Sequence, residues 1–372
     1  MADVRITDIE AIPLRLPVVS DRTDSSQDAV IIKVSTDAGI VGYGEVDASP
    51  LVVKAIVDAP LSHGRVTGLR ELLVGQDPTR VSALWELMYE STLYIGRGGV
   101  VVQAMAGVDL ALWDIAGKVA GVGVHRLLGG AHRDRMWAYA SHMFGPSPQE
   151  TARQAARACE QGFTAVKFGW PPFGLDAATD ERYVAAIRSA VGPETAVGID
   201  AGLMWDAKTA IARSRRFEPY DLMWLEEPLH PDDLIGYARL TSTVDMPIAA
   251  GEEECTLAGF VRLMDAGIDV VQVDVTRVGL TTAMRVAAEA HRRHLPVANH
   301  CFTTDINVAA SLQFLCSIPN ALVLEYCVED SPLRTAVVAE PIAIEDGHAR
   351  LPAGPGLGVE VTLDAVAEYV MA

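Results

Sequence analysis

The chain has 372 residues, of which 50% are hydrophobic and 21% charged, and its formal net charge at pH 7 is -19. This composition excludes disordered and collagen-like chains, and the length suits a small domain plus a barrel of about 250 residues. The negative charge disfavours nucleic acid and anionic membranes as partners, since it repels phosphate groups. An anionic substrate would therefore need a local positive centre, such as a metal ion.

The N-terminal sequence, MADVRITDIEAIPLRLP, lacks the apolar centre of a signal peptide, and no run of 18 apolar residues occurs in the chain. We therefore expect a cytoplasmic protein. The cysteines show no CxxC pairing that would indicate zinc or a redox couple, so we expect buried, reduced thiols. They are Cys159, Cys255, Cys301, Cys316 and Cys327.

The first third of the chain predicts an α+β domain. Residues 4–16 and 29–45 alternate apolar and polar side chains, and Asp37-Ala38-Gly39 supplies a turn, which indicates a meander of antiparallel strands. Helical periodicity follows over residues 51–119. We assign residues 1–126 to this domain.

From residue 127 onward, short apolar runs alternate with amphipathic segments of helical length, as in repeated βα units. Eight strands are predicted, and the polar residues that mark their ends recur every 22 to 33 residues. This rhythm predicts a (β/α)8 barrel of the α/β class over residues 127–330, with residues 331–372 packing back on the first domain. The predicted strands are 137–141, 165–168, 196–200, 223–226, 247–251, 270–274, 296–300 and 321–325.

Polar side chains mark seven of these strand ends, namely Lys167, Asp200, Glu226, Glu252, Asp274, His300 and Glu325. Any one of them could simply cap a strand. Because the carboxyl ends of parallel barrel strands meet at one face, we expect the seven to converge. Their joint presence predicts an active site.

Three successive strands end in carboxylates, Asp200, Glu226 and Glu252. Such close like charges cannot all stay ionised without a cation. Oxygen ligands without suitably placed Cys or paired His favour one Mg²⁺ per site, with Mn²⁺ as the alternative. Asp274 and His300 end the next two strands, so the carboxylate can fix the imidazole tautomer and leave the other nitrogen as a general base.

The ordered motifs resemble those of the mandelate racemase subgroup of the enolase superfamily. In the barrel they are Gly198-Ile199-Asp200, Trp224-Leu225-Glu226-Glu227-Pro228, Ala250-Gly251-Glu252, Val273-Asp274-Val275-Thr276-Arg277-Val278-Gly279, Asn299-His300 and Leu324-Glu325. In the first domain they are Gly107-Val108-Asp109-Leu110-Ala111-Leu112-Trp113-Asp114 and Leu127-Leu128-Gly129-Gly130. The resemblance implies a modified (β/α)7β barrel with an N-terminal capping domain.

The resemblance implies a role for each strand-end residue. The metal ligands would be Asp200, Glu226 and Glu252. His300 with Asp274 would form the base dyad, Glu325 would donate to the substrate carboxylate, and Lys167 would match the first lysine of a Lys-x-Lys motif.

Gly169 stands where the second, base-like lysine of that motif would be. Racemisation needs acid–base groups on both faces of the enediolate, whereas dehydration needs one. We therefore predict an acid-sugar dehydratase, a lyase of carbohydrate catabolism. His300 would take the proton α to a carboxylate, Mg²⁺ and Lys167 would stabilise the enediolate, and loss of the β-hydroxyl would give a 2-keto-3-deoxy acid.

Two rival interpretations stay open, a racemase, epimerase or cycloisomerase (an isomerase) of the same superfamily, and a catalytically silent protein that binds a sugar acid. The expected partner is a small carboxylate, and relatives in this family imply a homo-oligomer, a dimer or octamer.

Residues 18–28 and 47–50 are candidate lids over the site. Strand alternation would point Glu227 away from the mouth of the barrel, so we do not predict it, Glu253 or Glu254 as ligands.

Overall fold

The structure begins with an antiparallel sheet followed by helices, as predicted. The computed structural model describes residues 4–371. The sheet has the order β1-β2-β3, with β1 (Ile6–Arg15), β2 (Asp28–Thr36) and β3 (Val41–Val46). Five helices follow, namely α1 (Pro50–Asp58), α2 (Leu69–Leu73), α3 (Val81–Ser91), α4 (Val100–Ala120) and α5 (Val124–Leu127).

Helix α4 is the central helix of this unit. A Cβ atom on Gly44 of β3 would lie 2.0 Å from the carbonyl oxygen of Gly107 in α4, so only glycine permits this close packing. Among the described residues α4 alone is long and apolar enough to span a membrane, but 83% of its apolar window is buried inside the protein. Helix α4 is therefore a helix of the protein core.

Eight parallel strands form the barrel, which confirms the predicted α/β class. The strands are β4 (Arg135–Met143), β5 (Ala165–Gly169), β6 (Ala196–Asp200), β7 (Trp224–Glu226), β8 (Ile248–Ala250), β9 (Val270–Val273), β10 (Val297–Asn299) and β11 (Leu324–Cys327). Strands β4 to β10 pair in chain order, and β11 pairs with β4. Between β10 and β11 the barrel is closed by two backbone hydrogen bonds of Val297. Its N–H donates to the carbonyl of Asn320, and its carbonyl accepts from the N–H of Leu322.

Helices alternate with these strands, and the last of them is buried beneath the capping domain. They are α6 (Pro148–Glu160), α7 (Ala177–Val191), α8 (Ala207–Phe217), α9 (Leu234–Thr241), α10 (Leu257–Asp265), α11 (Val275–Arg292) and α12 (Asp305–Ser317), with a 3-10 turn at Glu218–Tyr220. Every residue of α12 is buried. Helix α11 is broken at Gly279, whose φ is 71°.

The barrel interior is filled rather than open. Tyr139 and Trp224 are fully buried in it, 5.6 Å apart between ring centroids in an edge-to-face arrangement, and small residues from other strands complete the cluster. The Trp224 indole donates a 2.8 Å hydrogen bond to Glu226 Oε2. This aromatic layer therefore forms the floor on which the polar ends of the strands rest.

The last predicted strand, 321–325, is displaced along the chain, because β11 covers Leu324–Cys327. Residues 321 and 322 instead join Val297 through a single bridge, and an apolar run alone does not reveal where pairing begins. Glu325 consequently lies inside the strand, opposite Tyr139, rather than at its end.

The chain after the barrel returns to both halves of the structure. It contains α13 (Pro332–Ala336), β12 (Ile344–Glu345), β13 (His348–Arg350) and a 3-10 helix at Asp364–Tyr369. Strand β13 pairs antiparallel with β4, and the N–H of Met371 donates to the carbonyl of Pro13 at 2.9 Å. The proposed division at residues 126 and 330 stays a prediction.

A buried carboxylate of β3 holds the capping domain on the barrel. Glu45 is fully buried and accepts hydrogen bonds from the N–H of Thr304 at 3.2 Å, its hydroxyl at 2.8 Å and the N–H of Asn307 at 3.0 Å. These N–H groups lie at the start of α12, where a helix has no carbonyl acceptors of its own for them. Glu45 thus caps a barrel helix from the other domain.

Two carboxylates of α4 act in the same way. Asp109 accepts from the N–H and the hydroxyl of Thr281 at 2.9 and 2.6 Å, just after the break in α11. Asp114 accepts from the N–H of Leu357 at 2.9 Å and pairs with Lys118 at 2.7 Å. Three buried acidic residues of the capping domain therefore bind backbone N–H groups of the barrel helices and of the C-terminal segment.

Replacing Glu45 with alanine is expected to lower the free energy of unfolding by roughly 2 to 4 kcal/mol, because the Thr304 and Asn307 donors would lose their partner in a dry interface. Urea denaturation followed by circular dichroism measures the change. Glu10→Ala removes an exposed carboxylate 3.8 Å from Lys33 and serves as control, with an expected change within about 0.5 kcal/mol. Equal, small effects of both substitutions would contradict the capping role.

The same residue predicts a pH dependence. Burial raises the pKa of Glu45 from 4.5 to about 8, so its contribution to stability is complete below the unfolded-state pKa and is lost as pH rises through the folded-state value. Glu45→Gln cannot ionise. The variant is therefore expected to gain stability relative to the wild type as pH rises from 4.5 to about 8, and a constant difference over that range would contradict this assignment.

Candidate active site

A cavity of about 270 Å³ opens where the carboxyl ends of the barrel strands meet the loop between β1 and β2. Four of the seven predicted site residues line it, namely Lys167, Asp200, Glu252 and His300, and the other three contact the side chains of these four. The full lining consists of Thr23, Asp24, Ser25, Ser141, His142, Met143, Lys167, Gly169, Trp170, Asp200, Glu252, Glu253, Arg277, His300 and Phe302.

The three predicted metal ligands are buried, with Asp200 at the end of β6, Glu226 at the end of β7 and Glu252 just beyond β8. Burial first, and then the Glu226 carboxylate, hold the pKa of Asp200 well above its ordinary value. Burial likewise raises the pKa of Glu252 to about 7. The raised pKa values of Asp200 and Glu252 reflect buried negative charge that the neighbouring cations do not fully balance, which is the condition that a divalent cation would relieve.

Lys167 lies between two of the acidic residues. Its ammonium nitrogen is 2.5 Å from Glu226 Oε1 and 2.7 Å from Glu325 Oε1. Burial alone lowers the pKa of Lys167, but these two carboxylates outweigh it and hold the pKa well above the ordinary value. Lys167 is therefore a fixed ammonium group on the cavity wall and not a base.

His300 and Asp274 form the pair that the sequence predicts. The two side chains meet with Nδ1 2.7 Å from Asp274 Oδ2, while the other Asp274 oxygen accepts from the N–H and hydroxyl of Thr276 at 2.7 and 2.6 Å. The free nitrogen, Nε2, lies 3.7 Å from Glu252 Oε1. Burial lowers the pKa of His300, but Glu252 and then Asp274 raise it well above its ordinary value, an effect that a cation on Glu252 would oppose.

Arg277, which belongs to the motif of residues 273–279 but is not a predicted site residue, lies beside this pair. Its guanidinium is 3.0 Å from Asp47 Oδ2 of the capping domain, donates to the backbone carbonyl of Glu252 at 3.0 Å and lies 3.5 Å from Glu253. Asp47 Oδ2 is in turn 4.0 Å from His300 Nδ1. The predicted segment 47–50 thus reaches the base through Asp47. The spacing of Arg277 three residues after Asp274, at the start of a helix, was the available signal.

The expectation that Glu227 points away from the mouth is wrong. Its φ is 38°, so β7 ends at Glu226 and the strand alternation on which the expectation rested does not extend to the next residue. Glu227 is buried, and one oxygen each of Glu227, Glu252 and Glu253 lie within 4.8 Å of one another. Burial and Glu252 hold the pKa of Glu227 well above its ordinary value.

Within residues 4–371, Asp47, Asp274 and His300 make a second group of three potential ligands within 4.8 Å, and Asp200 and Glu226 belong to neither group. Both Glu226 oxygens already accept protein donors, from Lys167 and from Trp224. A carboxylate has about four lone-pair sites, so two remain for a cation. Binding through Asp200, Glu226 and Glu252 would draw these side chains together.

Glu325 is buried and accepts three hydrogen bonds at 2.7 Å, from Ser141 Oγ, Lys167 Nζ and the N–H of Cys301. Burial raises its pKa, but Lys167 and His300 outweigh that effect and lower the pKa to about 2. An ionised carboxylate accepts hydrogen bonds only. This arrangement therefore gives no support to Glu325 as a donor to substrate, and that role stays a prediction.

Gly169 ends β5 directly beside Asp200. A Cβ atom on Gly169 would lie 2.5 Å from Asp200 Oδ2 and 2.9 Å from its Cβ. No side chain fits there unless Asp200 moves. The packing around Gly169 therefore agrees with the absence of the second lysine of the Lys-x-Lys motif.

The loop predicted as a lid, residues 18–28, contributes Thr23, Asp24 and Ser25 to the cavity wall. It is attached to the segment that follows the barrel by a 2.6 Å hydrogen bond from the Ser331 hydroxyl to the Ser26 carbonyl. A short 3-10 turn, Ser25–Gln27, is capped by Asp24, whose Oδ1 accepts from the N–H of Ser26 at 3.0 Å.

Comparison with known proteins finds relatives over nearly the whole chain. A D-galactonate dehydratase from Pectobacterium atrosepticum is 34% identical over 357 residues, covering 91% of this chain and 90% of the relative. A D-galactarolactone cycloisomerase from Agrobacterium fabrum is 31% identical over 356 residues, covering 92% and 91%. The crystal structure of a 3,6-anhydro-D-galactonate cycloisomerase from Zobellia galactanivorans matches with a TM-score of 0.90 at 31% identity, covering 99% of this chain and 100% of that one.

Two family models cover the two halves of the fold. Residues 1–129 match the N-terminal domain of the mandelate racemase / muconate lactonizing enzyme family, and residues 150–365 match the domain described as enolase C-terminal domain-like. The capping sheet, the parallel barrel and the buried acidic residues at its carboxyl face agree with these matches. The chain therefore belongs to the mandelate racemase subgroup of the enolase superfamily.

Proposed function

We propose that this protein is a magnesium-dependent dehydratase of acid sugars. The observation that carries the proposal is one oriented base, His300 on Asp274, together with Gly169, which leaves no room for a side chain at the position of the family's second lysine. Lys167, the other nitrogen that the family motif would offer, is held as an ammonium by two carboxylates. A base on one side only favours elimination over racemisation.

Asp200, Glu226 and Glu252 would hold the magnesium ion. Support comes from their donor chemistry, since all three offer carboxylate oxygens, and from the raised pKa values of Asp200 and Glu252, which reflect buried negative charge without a balancing cation. The bound ion would supply positive charge for the carboxylate of the substrate. Mn²⁺ has the same ligand preference and is the expected substitute.

Proton transfer is assigned to His300. The hydrogen bond from Nδ1 to Asp274 orients the ring and leaves Nε2 toward the cavity, so Nε2 would accept the proton α to the substrate carboxylate. Lys167 would stabilise the charge that develops on that carboxylate. Glu325 and Glu226 would act through Lys167, since they fix the position of its ammonium group.

The elimination balances without an oxidant or reductant. The Cα–H bond breaks and its proton goes to His300, the electron pair forms the carbon–carbon double bond, and the bond from the β-carbon to its hydroxyl oxygen breaks. The imidazolium of His300 returns its proton to the leaving hydroxyl, which departs as water. The resulting enol takes a proton from solvent at the β-carbon and becomes a 2-keto-3-deoxy acid.

A cycloisomerase is the second candidate, because two of the relatives carry that name. Such a reaction also needs one α-proton transfer but releases no water. Mass spectrometry separates the two, since a cycloisomerase product keeps the mass of its substrate and a dehydratase product is lighter by one water.

Purified protein with Mg²⁺, incubated with a panel of C4 to C6 sugar acids and lactones, tests the proposal. A Mg²⁺-dependent 2-keto-3-deoxy product from at least one acid is expected, and isomerised product alone would favour the second candidate. A cytoplasmic location and a homo-oligomeric state remain proposals alongside this one, which fractionation and light scattering would test.

Gly169→Ala is expected to weaken Mg²⁺ binding and to lower kcat/KM, each by at least about tenfold, because the new methyl group displaces Asp200 and small misplacements in a site are costly. Titration calorimetry and steady-state kinetics measure the two effects. Gly64→Ala is the matched control, since a Cβ there meets no atom within 4 Å. Normal Mg²⁺ affinity in Gly169→Ala would contradict the assignment of Asp200 as a ligand.

A further inference from the structure

The part of the cavity wall beside the loop 18–28 is formed by residues outside the proposed catalytic set. Met143 and Phe302 come two residues after Ser141 and His300, and they pack together with Trp170 in a small apolar cluster. The lid loop completes this part with Thr23, Asp24 and Ser25. These six residues, the outer wall, would meet the end of a substrate remote from the carboxylate at the metal.

The cavity has two permanent cations among its lining residues, and both are already paired. Lys167 is bound to Glu226 and Glu325 at 2.5 and 2.7 Å. Arg277 is bound to Asp47 at 3.0 Å and to a backbone carbonyl, with Glu253 at 3.5 Å. Neither belongs to the outer wall, which offers hydroxyl groups, apolar surface and a single charge, the carboxylate of Asp24.

Asp24 is arranged to accept a hydrogen bond. Its Oδ1 takes the N–H and the hydroxyl of Ser26 at 3.0 and 2.6 Å, while in the stretch from residue 4 to residue 371 no protein group donates to Oδ2. An alcohol at the remote end of a substrate could donate to such an oxygen. A carboxylate could not, and in this partly buried place it would face a like charge, with no lysine or arginine among the six outer-wall residues to balance it.

We propose that the site takes aldonates, sugar acids with one carboxylate and a terminal alcohol, and that Asp24 discriminates against aldarates, which carry a carboxylate at both ends. This inference rests on the proposed function and deepens it. The names of the relatives do not decide between the two substrate classes, because they include both an aldonate and the lactone of an aldarate. The inference therefore depends on the residues of this chain.

Matched pairs that differ only at the terminal carbon test it, D-gluconate against D-glucarate and D-galactonate against galactarate. Calorimetry of the full-length protein in excess Mg²⁺ is expected to show at least one aldonate bound about tenfold or more tighter than its aldarate. In Asp24→Asn, which keeps the Oδ1 acceptor that caps the turn, the aldonate-to-aldarate affinity ratio is expected to fall at least about threefold.

Substitution of Arg22 is the comparison for Asp24→Asn. Arg22 comes directly before Thr23 in the chain but is not part of the outer wall, and its guanidinium pairs with Glu329 at 3.4 Å. Arg22→Gln is expected to leave the ratio within about twofold, whereas a selective loss of aldarate binding would identify Arg22 as a receptor for a second carboxylate and overturn the inference. Aldarates bound as tightly as aldonates by the wild type, or no aldonate bound at all, would also overturn it. Aldonates that bind and are not dehydrated would instead leave the inference standing and defeat the proposed reaction.

Discussion

His300→Asn is expected to lower kcat by about 10³- to 10⁴-fold while Mg²⁺ binding is retained, since general-base catalysis contributes up to about that factor. His300 is the one base that the proposed mechanism uses. Asparagine is close in size and neutral, and its amide can still donate to Asp274, so the buried carboxylate keeps a partner. Steady-state kinetics on the best substrate, with Mg²⁺ titration calorimetry, measures both quantities.

His230→Asn is the matched control for this substitution, because the His230 side chain is 67% exposed and outside the cavity lining. Its kcat should match the wild type. A His300→Asn variant with more than about a tenth of the wild-type kcat would remove His300 from the reaction. Sugar-acid binding by a wild type that turns nothing over would instead favour the silent binding protein.

Asp200→Asn is expected to abolish stabilisation by Mg²⁺ without destabilising the metal-free protein. Burial and Glu226 hold the pKa of Asp200 well above its usual value, so a neutral amide relieves repulsion, and its oxygen can still accept the 2.7 Å hydrogen bond from the N–H of Gly202. A ligand at about 100 times its Kd stabilises a protein by about 2.7 kcal/mol. Thermal unfolding with and without Mg²⁺ should show this gain in the wild type only.

The same variant should lose activity by about 10³-fold, comparable to the removal of one preorganised electrostatic group. Asp232→Asn, at a side chain that is 93% exposed, controls for a change of charge alone. Glu227→Gln tests the ligand set, because Glu227 lies close to Glu252 but is not proposed to bind the metal. If Glu227→Gln lost the Mg²⁺ response and Asp200→Asn kept it, the proposed ligand set would be wrong.

The barrel could be predicted from the sequence because its signals are local and repeated. Short apolar runs at regular intervals predicted all eight strands, and convergence of their ends followed from parallel pairing alone. The pairing of His300 with Asp274 was accessible for the same reason, since β9 and β10 are neighbours in the barrel. The turn at residues 37–39 and the helices over residues 51–119 were equally local features.

Features that depend on one backbone angle or on contacts between domains were not accessible. Glu227 was misplaced because a positive φ ends the strand alternation, and nothing in the sequence reports that angle. The register of β11 moved Glu325 into a strand, where its oxygens are used by protein donors. The contact of Asp47 with Arg277 joins residues 230 positions apart, which a pattern along the chain does not reveal.

Turnover of an aldonate in D₂O with Mg²⁺ distinguishes dehydration from epimerisation in one measurement. We expect a 2-keto-3-deoxy product that carries one solvent deuterium at C3, no product without Mg²⁺, and little deuterium in recovered substrate. Deuterium accumulating at the α-carbon of recovered substrate with no 2-keto-3-deoxy product would contradict dehydration and identify an epimerising enzyme instead.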